Sequence, residues 1–269
     1  MNLTEICKDI REDIVKCIAS IGVGHIGGCL SLVEILAVLY FKEMNIDPQN
    51  PRMPGRDRLI VSKGHAGPAV YATLANRGYF DKSELLTLNQ GGTKLPSHCD
   101  MNLTTGIDMT TGSLGQGMSC AVGAAIGSQL NKDGAYIYAI IGDGESQEGQ
   151  IWEAAMFAAQ KKLYNLIVFT DNNGMQIDGN TADINKVEPV DKRWESFGWN
   201  VIVVDGHDTA QIEAAIKSAK AQKEKPTMII ANTIKGKGVP FVEAKGYANH
   251  NMPFTQEDAQ RAIEEIRRA

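Results

Sequence analysis

Two apolar runs in the middle of the chain define the predicted architecture. Residues 135–141 read AYIYAII, residues 166–173 read LIVFTDNN, and a stretch with helical spacing lies between them from Glu148 to Lys162. Short runs rich in Ile, Val and aromatic residues favour buried strands, and the separation is long enough for a crossover helix. The pattern therefore predicts a strand, a helix and a second strand parallel to the first.

The same kinds of pattern continue on both sides of this unit. Ser31 and Glu34 have the spacing of a capping box, which predicts a helix start before the apolar run ILAVLYF. Helical spacing also predicts helices at residues 3–18, 209–221 and 256–268. Further strands are predicted at residues 58–62, 200–205 and 227–233. We expect one α/β domain over residues 1–269, with a doubly wound, mostly parallel sheet of five to six strands and helices on both faces.

Composition and charge exclude several classes of function. The chain has 269 residues, of which 43% are hydrophobic and 22% charged, enough for one substantial core. A net charge of −5 gives no basic footprint for nucleic acid, and no apolar run approaches a membrane span. The amphipathic N-terminus is unlike a signal peptide, and the five cysteines show neither CxxC spacing nor a disulfide framework. We expect a cytoplasmic protein with buried, reduced thiols.

Two oxygen-bearing side chains follow the central strands. Asp143 lies in the motif GDG after the first strand, and Asn173 ends the second strand 30 residues later. The carboxyl ends of neighbouring parallel strands are where open α/β sheets bind ligands. Carboxylate and amide oxygens suit Mg²⁺ or Ca²⁺, which completes its shell with phosphate oxygens and water. A GDG motif alone is more often a tight turn, but here the order of motif, helix and strand favours a site for a cation and a pyrophosphate. Gly142 and Gly144, on either side of Asp143, would let the backbone approach the pyrophosphate closely.

Four histidines lie in predicted turns or loops. His25 and His65 lie in glycine-rich turns before helices, and His98 lies in a long loop over residues 90–109. The fourth, His250, lies in a loop after the last strand. Each could instead be a hydrogen-bonding or packing residue, although three or more in separate loops favour a shared cleft. His207 also follows a strand, but its neighbour Asp208 predicts a helix cap and a structural role.

Two further segments are candidates for ligand contact. The stretch TTGSLGQGM, residues 110–118, has three glycines that would let its backbone lie against a planar ligand or pack closely on a helix. The small residues at 121–127 also suit an interface. Residues 174–188 are polar and irregular and form a candidate lid over the cation site.

Six motifs, in order along nearly the whole chain, resemble the N-terminal, thiamine diphosphate-binding half of transketolase. They are GHIGGCLS, DRLIVSKGHA, KLPSHCD, TTGSLGQGM, GDGESQEGQIWEA with TDNN, and YANHN. One departure concerns His98, because many relatives have a glycine before this histidine and a proline after it. The exact pose of His98 is therefore left open by the resemblance.

The resemblance implies a role for each matching position. Metal ligands would be Asp143, Asn173 and the backbone carbonyl of Met175. Diphosphate contacts would be Gly144, His65 and Asn173. The cofactor would be lined by Gly112, Ser113 and Leu114, and Glu148 would face the subunit boundary. The reacting sugar would be reached by His25, His98 and His250, with His250 also touching the cofactor.

The six motifs correspond to only part of a transketolase. The resemblance implies that the pyrimidine-binding and C-terminal domains, with the glutamate that activates the cofactor, lie on a partner chain. Split members of the family have this arrangement, so we expect an α2β2 assembly.

The implied activity is transfer of a two-carbon ketol unit from a ketose phosphate to an aldose phosphate. Pentose phosphates are the default substrates, but a branched or sulfonated sugar would leave the same motifs. Alternatives are the α subunit of a 2-oxo acid dehydrogenase, deoxyxylulose phosphate synthase and a non-catalytic cofactor-binding subunit. The motifs GHIGG and SKGHA favour transketolase over the dehydrogenase, and chain length disfavours the synthase.

Overall fold

Five parallel strands form the centre of the molecule. The computed structural model describes residues 2–268. The strands are β1 (Arg58–Val61), β2 (Ile137–Gly142), β3 (Leu166–Asn172), β4 (Asn200–Asp205) and β5 (Thr227–Asn232). They are hydrogen-bonded in the order β1, β2, β3, β5, β4, and every pair is parallel. The predicted parallel α/β sheet is therefore confirmed.

Helices cover both faces of this sheet. The longer ones are α1 (Leu3–Ala19), α4 (Gly67–Arg77), α5 (Gln116–Asn131), α6 (Gly149–Gln160), α9 (Thr209–Ala221) and α11 (Gln256–Arg268). The shorter ones are α2 (Ile26–Leu30), α3 (Val33–Val38), α7 (Thr181–Ile184), α8 (Val190–Ser196) and α10 (Pro240–Glu243). Helices α5, α6 and α8 pack on one face, and α1 to α4, α9 and α11 pack on the other.

Alternate residues of each strand enter different cores. In β2, Tyr138 and Ile140 face the core with α1 to α4, while Ile137, Ala139 and Ile141 face the core with α5 and α6. All five side chains are buried, as expected for a parallel sheet covered by helices on both sides. This two-sided burial explains why the central strands read as nearly continuous apolar runs.

The register of the sheet aligns the ends of its strands. Gly142 at the end of β2 pairs with Asp171, and Asn172 at the end of β3 pairs with Asn232 of β5. The turns that follow β1, β2, β3 and β5 consequently open at the same edge. This edge carries the polar residues described below.

The expected capping box at Ser31 and Glu34 is wrong. Ser31 ends α2, and its hydroxyl donates to Asp171 Oδ2 at 2.7 Å, while α3 has no side-chain cap. Glu34 instead accepts from Arg11 Nη2 at 2.6 Å and lies 3.0 Å from His207 Nδ1. Tertiary partners have outcompeted the local cap. The structural roles expected of His207 and Asp208 hold, since Asp208 caps α9.

The segment after β3 is more ordered than its sequence indicates. Residues 174–188 contain a tight hairpin, in which Met175 and Gln176 pair with residues 179–180, followed by α7. Ile177 at the hairpin tip is 65% exposed. The hairpin borders the cleft at the carboxyl edge, and its role as a lid stays a prediction.

The remaining expectations concern thiols and membranes. All five cysteines are free, four of them buried and Cys120 partly buried. Among residues 2–268, no helix combines the length and apolarity needed to cross a bilayer.

Candidate functional site

A cleft of about 570 Å³ opens at the carboxyl edge of the sheet. Turns after four strands contribute to it, together with the hairpin and the loops before α2 and α5. Its walls include most of the predicted site residues, namely His25, His65, His98, Gly112, Leu114, Asp143, Gly144, Glu148, Asn173, Met175 and His250. Ser113 is the exception: it is exposed and is not among the residues that line the cleft.

Asp143 and Asn173 lie at the ends of the adjacent strands β2 and β3. Gly174, the residue after Asn173, is hydrogen-bonded to the Asp143 carboxylate. Asp143 Oδ2 accepts from the Gly174 N–H at 2.5 Å, and Oδ1 accepts from the Gly144 N–H at 2.8 Å. Asn173 Oδ1 accepts from the Met175 N–H at 3.1 Å. Both oxygen-bearing groups therefore face the same part of the cleft, as the strand order predicts.

The chemistry of this donor set fits a hard divalent cation. Asp143 is only 2% exposed, and burial together with the nearby Asp171 carboxylate raises the pKa of Asp143 to about 6. A cation beside Asp143 would compensate this buried negative charge. Within residues 2–268 no group of three His, Cys, Asp or Glu side chains could hold a metal, so a cation here would need amide, carbonyl and phosphate oxygens.

A buried ion pair underlies the cleft, and sequence reasoning did not find it. Lys63 Nζ lies 2.5 Å from Asp171 Oδ2, and both side chains are almost fully buried. Burial alone would raise the pKa of Asp171, but Lys63 and donors from Ser31 and Thr233 hold that pKa below its usual value. Asp171 also accepts from Asn173 Nδ2 at 3.0 Å, so the ion pair fixes the amide orientation of Asn173.

A second buried lysine, which the sequence analysis also did not identify, lines the same cleft. Lys235 is 4% exposed, and burial and the charge of Lys63 lower its pKa to about 8. Its Nζ lies 3.1 Å from His250 Nδ1. Lys63 and Lys235 follow β1 and β5 closely, so position after a parallel strand was the signal that could have identified both. Their charges suit an anionic ligand.

Four imidazole rings meet in the cleft. The ring centroid of His25 lies 5.3 Å from that of His65, 5.8 Å from that of His98 and 5.4 Å from that of His250, and the centroids of His65 and His250 are 5.0 Å apart. The expectation that histidines from separate loops share a cleft agrees with this geometry.

The environment keeps these four rings neutral near pH 7. Burial lowers the pKa of His25, His65 and His98, and neighbouring charges add to the effect at the first two. Burial and the charge of Lys235 lower the pKa of His250 to about 3. A neutral imidazole carries one N–H donor and one acceptor nitrogen, so each ring can exchange hydrogen bonds with hydroxyl groups.

Two glycines bring backbone into the cleft wall. A Cβ at Gly64 would lie 2.6 Å from backbone atoms of Thr111, so only glycine lets the turn carrying His65 touch the segment before α5. Gly115 precedes α5 with φ of +85°, a conformation that side chains rarely adopt. These contacts place Gly112 against His98 and Leu114 at the cleft rim.

The Glu145 carboxylate links three segments around the cleft through hydrogen bonds, and the sequence analysis did not identify it. Its carboxylate accepts from Ser62 Oγ, from the Gly115 N–H at 2.8 Å and from the Gly142 N–H at 3.0 Å. Burial raises the pKa of Glu145, and these donors oppose that shift. Glu148, three residues later, is exposed at the cleft rim.

Comparisons with known proteins agree with one another. The family model described as "Transketolase, thiamine diphosphate binding domain" matches residues 3–266. The chain is 57% identical over 257 residues to the 6-deoxy-6-sulfo-D-fructose transketolase subunit of Clostridium sp. (strain MSTE9), covering 96% of this chain and 93% of that protein. It is 41% identical over 261 residues to an apulose-4-phosphate transketolase subunit of Actinobacillus succinogenes, covering 97% of this chain and 94% of that protein. Transketolase from Leishmania mexicana superposes with a TM-score of 0.92 and 30% identity, covering 99% of this chain and 41% of that one.

Proposed function

The chain belongs to the transketolase family as its thiamine diphosphate-binding domain, and from this premise we propose that it is one subunit of a two-chain transketolase acting on a sulfonated ketose. The observation that carries the substrate proposal is the 57% identity to a subunit named for 6-deoxy-6-sulfo-D-fructose, against 41% to a subunit named for apulose 4-phosphate. Both likenesses extend over nearly the whole of each chain.

The proposed cofactor site uses the adjacent strand ends. Asp143, Asn173 and the carbonyl of Met175 would hold Mg²⁺ or Ca²⁺, and the buried charge at Asp143 supports this assignment. His65, Gly144 and Asn173 would contact the diphosphate of the cofactor.

The two lysines and the rim residues would complete this site. Lys63 and Lys235 both line the cleft, and their ammonium groups would add positive charge for the diphosphate. Gly112, Ser113 and Leu114 would line the cofactor, with Gly112 and Leu114 at the cleft wall. At the rim, Glu148 would face a neighbouring chain of the assembly.

Thiamine diphosphate, when bound, supplies the nucleophilic carbon and electron sink that breaking a bond next to a ketone requires. The chain's own contribution is to orient the sugar and to move protons. His25, His98 and His250 are neutral, converge within one cleft and would exchange hydrogen bonds with the sugar hydroxyls.

A partner chain would complete the enzyme. The relatives covered over nearly their full length are named as subunits, while this chain spans about two fifths of the Leishmania mexicana transketolase. We expect the partner to supply the pyrimidine-binding domain and the activating carboxylate, in an α2β2 assembly, and the complex to work in the cytoplasm.

The proposal is tested on the complex purified with a candidate pyrimidine-domain partner. The complex is offered 6-deoxy-6-sulfofructose, fructose 6-phosphate, xylulose 5-phosphate or apulose 4-phosphate, each with the same aldose phosphate as acceptor, and the carbonyl compound released from each donor is quantified by mass spectrometry. We expect the sulfonated ketose to give the highest kcat/KM and to release a four-carbon aldose that keeps the sulfonate.

Other outcomes separate the alternatives. A preference for a phosphorylated ketose would overturn the sulfonate assignment but retain the transketolase. Cofactor binding without ketol transfer from any donor would instead indicate a non-catalytic binding subunit. The family match favours transketolase over the 2-oxo acid dehydrogenase α subunit considered from the sequence.

A further inference from the structure

Lys235 and His250 form a buried pair held by a third residue. Lys235 Nζ lies 3.1 Å from His250 Nδ1. Asn249, which is fully buried, donates its amide N–H groups to the carbonyls of Lys235 at 3.1 Å and Val242 at 3.0 Å. The loop after β5 and the turn carrying His250 are therefore tied together beside the pair.

The chemistry of an ammonium group decides the direction of this hydrogen bond. A lysine ammonium has three donors and no acceptor, so the nitrogen facing it must accept. In a neutral imidazole that accepts at Nδ1, the remaining proton lies on Nε2. We propose that Lys235 is a positioning residue that holds His250 as the neutral Nε2–H tautomer, which makes His250 a fixed hydrogen-bond donor in the cleft.

The groups around the pair support the protonation states that this assignment requires. Lys63 and the carboxylates of Asp171 and Asp143 act on Lys235, and its pKa of about 8 leaves the ammonium form dominant at pH 7. His25 and His65 face His250 and are themselves neutral near pH 7. The ring of His250 is kept neutral by burial and by the charge of Lys235.

The chain contains its own reference for the opposite tautomer. His207 Nδ1 lies 3.0 Å from Glu34 Oε2, and its Nε2 accepts from the Ile234 N–H at 2.8 Å. A ring that accepts at Nε2 and faces a carboxylate at Nδ1 carries its proton on Nδ1. The loop after β5 therefore fixes two histidines as opposite tautomers. The backbone N–H of Ile234 fixes His207, and the side chain of Lys235 fixes His250.

The tautomer of His250 does not depend on the proposed function; only its role as a hydrogen-bond donor to the reacting sugar rests on that proposal. Its test is NMR spectroscopy of the isolated chain labelled with ¹⁵N at histidine, at pH 7. The chain has five histidines, so each pair of ring nitrogens can be assigned with single-histidine variants. We expect the proton of His250 on Nε2 and the proton of His207 on Nδ1.

Three variants sharpen the test. In Lys235→Met the donor is lost, and we expect the two nitrogen shifts of His250 to move toward exchange-averaged values while those of His207 stay unchanged. Lys235→Arg keeps an obligate donor and should restore the Nε2–H pattern. Lys237→Met is the matched control, because it removes the same charge from the same loop at a residue outside the cleft.

The possible failures are distinguishable. A wild-type His250 protonated on Nδ1, or one whose shifts do not respond to Lys235→Met, overturns the inference whether or not the complex transfers ketol units. Absence of ketol transfer with the expected tautomer overturns only the proposed function. The wild-type spectrum alone decides the tautomer if Lys235→Met does not fold.

Discussion

Asp143 is the single charged side chain expected to hold the cation. It lies buried between the backbone N–H groups of Gly144 and Gly174, with the Asp171 carboxylate nearby. The Lys63 ammonium neutralises Asp171 directly, whereas Asp143, the other of these two aspartates, has no ion-pair partner within residues 2–268. This contrast assigns different roles to two aspartates that the sequence presents at equivalent strand ends.

Replacing Asp143 with alanine should remove cation-dependent cofactor binding and leave the fold intact. We expect affinity for thiamine diphosphate in the presence of Mg²⁺ to fall roughly 100-fold, about 2.7 kcal/mol, because Asp143 is the one carboxylate in the proposed ligand set. Isothermal titration calorimetry of the complex with the partner chain measures this change. Asp178→Ala is the matched control, since Asp178 also lines the cleft but is exposed on the hairpin. Equal affinities for the two variants would exclude Asp143 as the metal ligand.

Hydrogen bonds from side chains that are distant in the sequence hold the elements around the cleft together. Glu145 connects the turn after β2 to Ser62 beyond β1 and to Gly115 before α5. Its three donors would be left without an acceptor if the carboxylate were removed, and buried unsatisfied donors are costly. This one carboxylate therefore holds the relative positions of β1, β2 and α5 at the site.

Replacing Glu145 with alanine should destabilise the chain. We expect the free energy of unfolding to fall by about 3 kcal/mol, because a buried acceptor of three hydrogen bonds is lost. Glu148→Ala, a change of an exposed glutamate three residues away, should shift it by less than about 0.5 kcal/mol. Urea denaturation of both variants without cofactor makes the comparison. A loss no larger than that of Glu148→Ala would show that Glu145 does not fasten these segments.

The sequence predicted the elements better than the contacts between them. Local patterns predicted β2, β3, α9 and α11. The two strands are buried on both faces and read as apolar runs, whereas the two helices are buried on one face and show helical spacing. Ser31 failed as a cap because its partner Asp171 is 140 residues away. Lys63 was missed for the same reason, since Asp171 lies 108 residues from it.

The candidate site shows the same division. Positions directly after strands, such as Asp143 and Asn173, could be predicted because parallel strands end at a common edge. Ser113 was assigned by resemblance to its segment, and no local pattern distinguishes it from Leu114, which does line the cleft. Which side of a turn a residue faces depends on packing with distant segments.

The molecule as a whole places four neutral imidazoles, two lysines and three buried carboxylates at one edge of its sheet. Such a concentration of titratable groups makes the stability of the whole fold depend on pH. Histidines with lowered pKa bind fewer protons when folded than when unfolded. They therefore stabilise the fold above about pH 6.5, the unfolded pKa, and this contribution is lost as pH falls.

His250 should account for a measurable part of that dependence. Its pKa of about 3 in the folded chain lies below the unfolded value of about 6.5, so between these limits folding requires release of a proton. For one proton, the free energy of unfolding changes by at most ~1.4 kcal/mol per pH unit. Because the ring borders the open cleft, we expect a smaller loss of stability, about 1 kcal/mol in total between pH 7 and pH 5. His250→Asn should remove this loss, so that the variant is less sensitive to acid than the wild-type chain. Above about pH 7.5 the two curves should run parallel, since His250 is neutral in both states there. Urea denaturation at half-unit pH intervals measures the stability of both proteins as a function of pH. If the wild-type chain loses no more stability than His250→Asn on acidification, the fold does not hold the ring of His250 neutral.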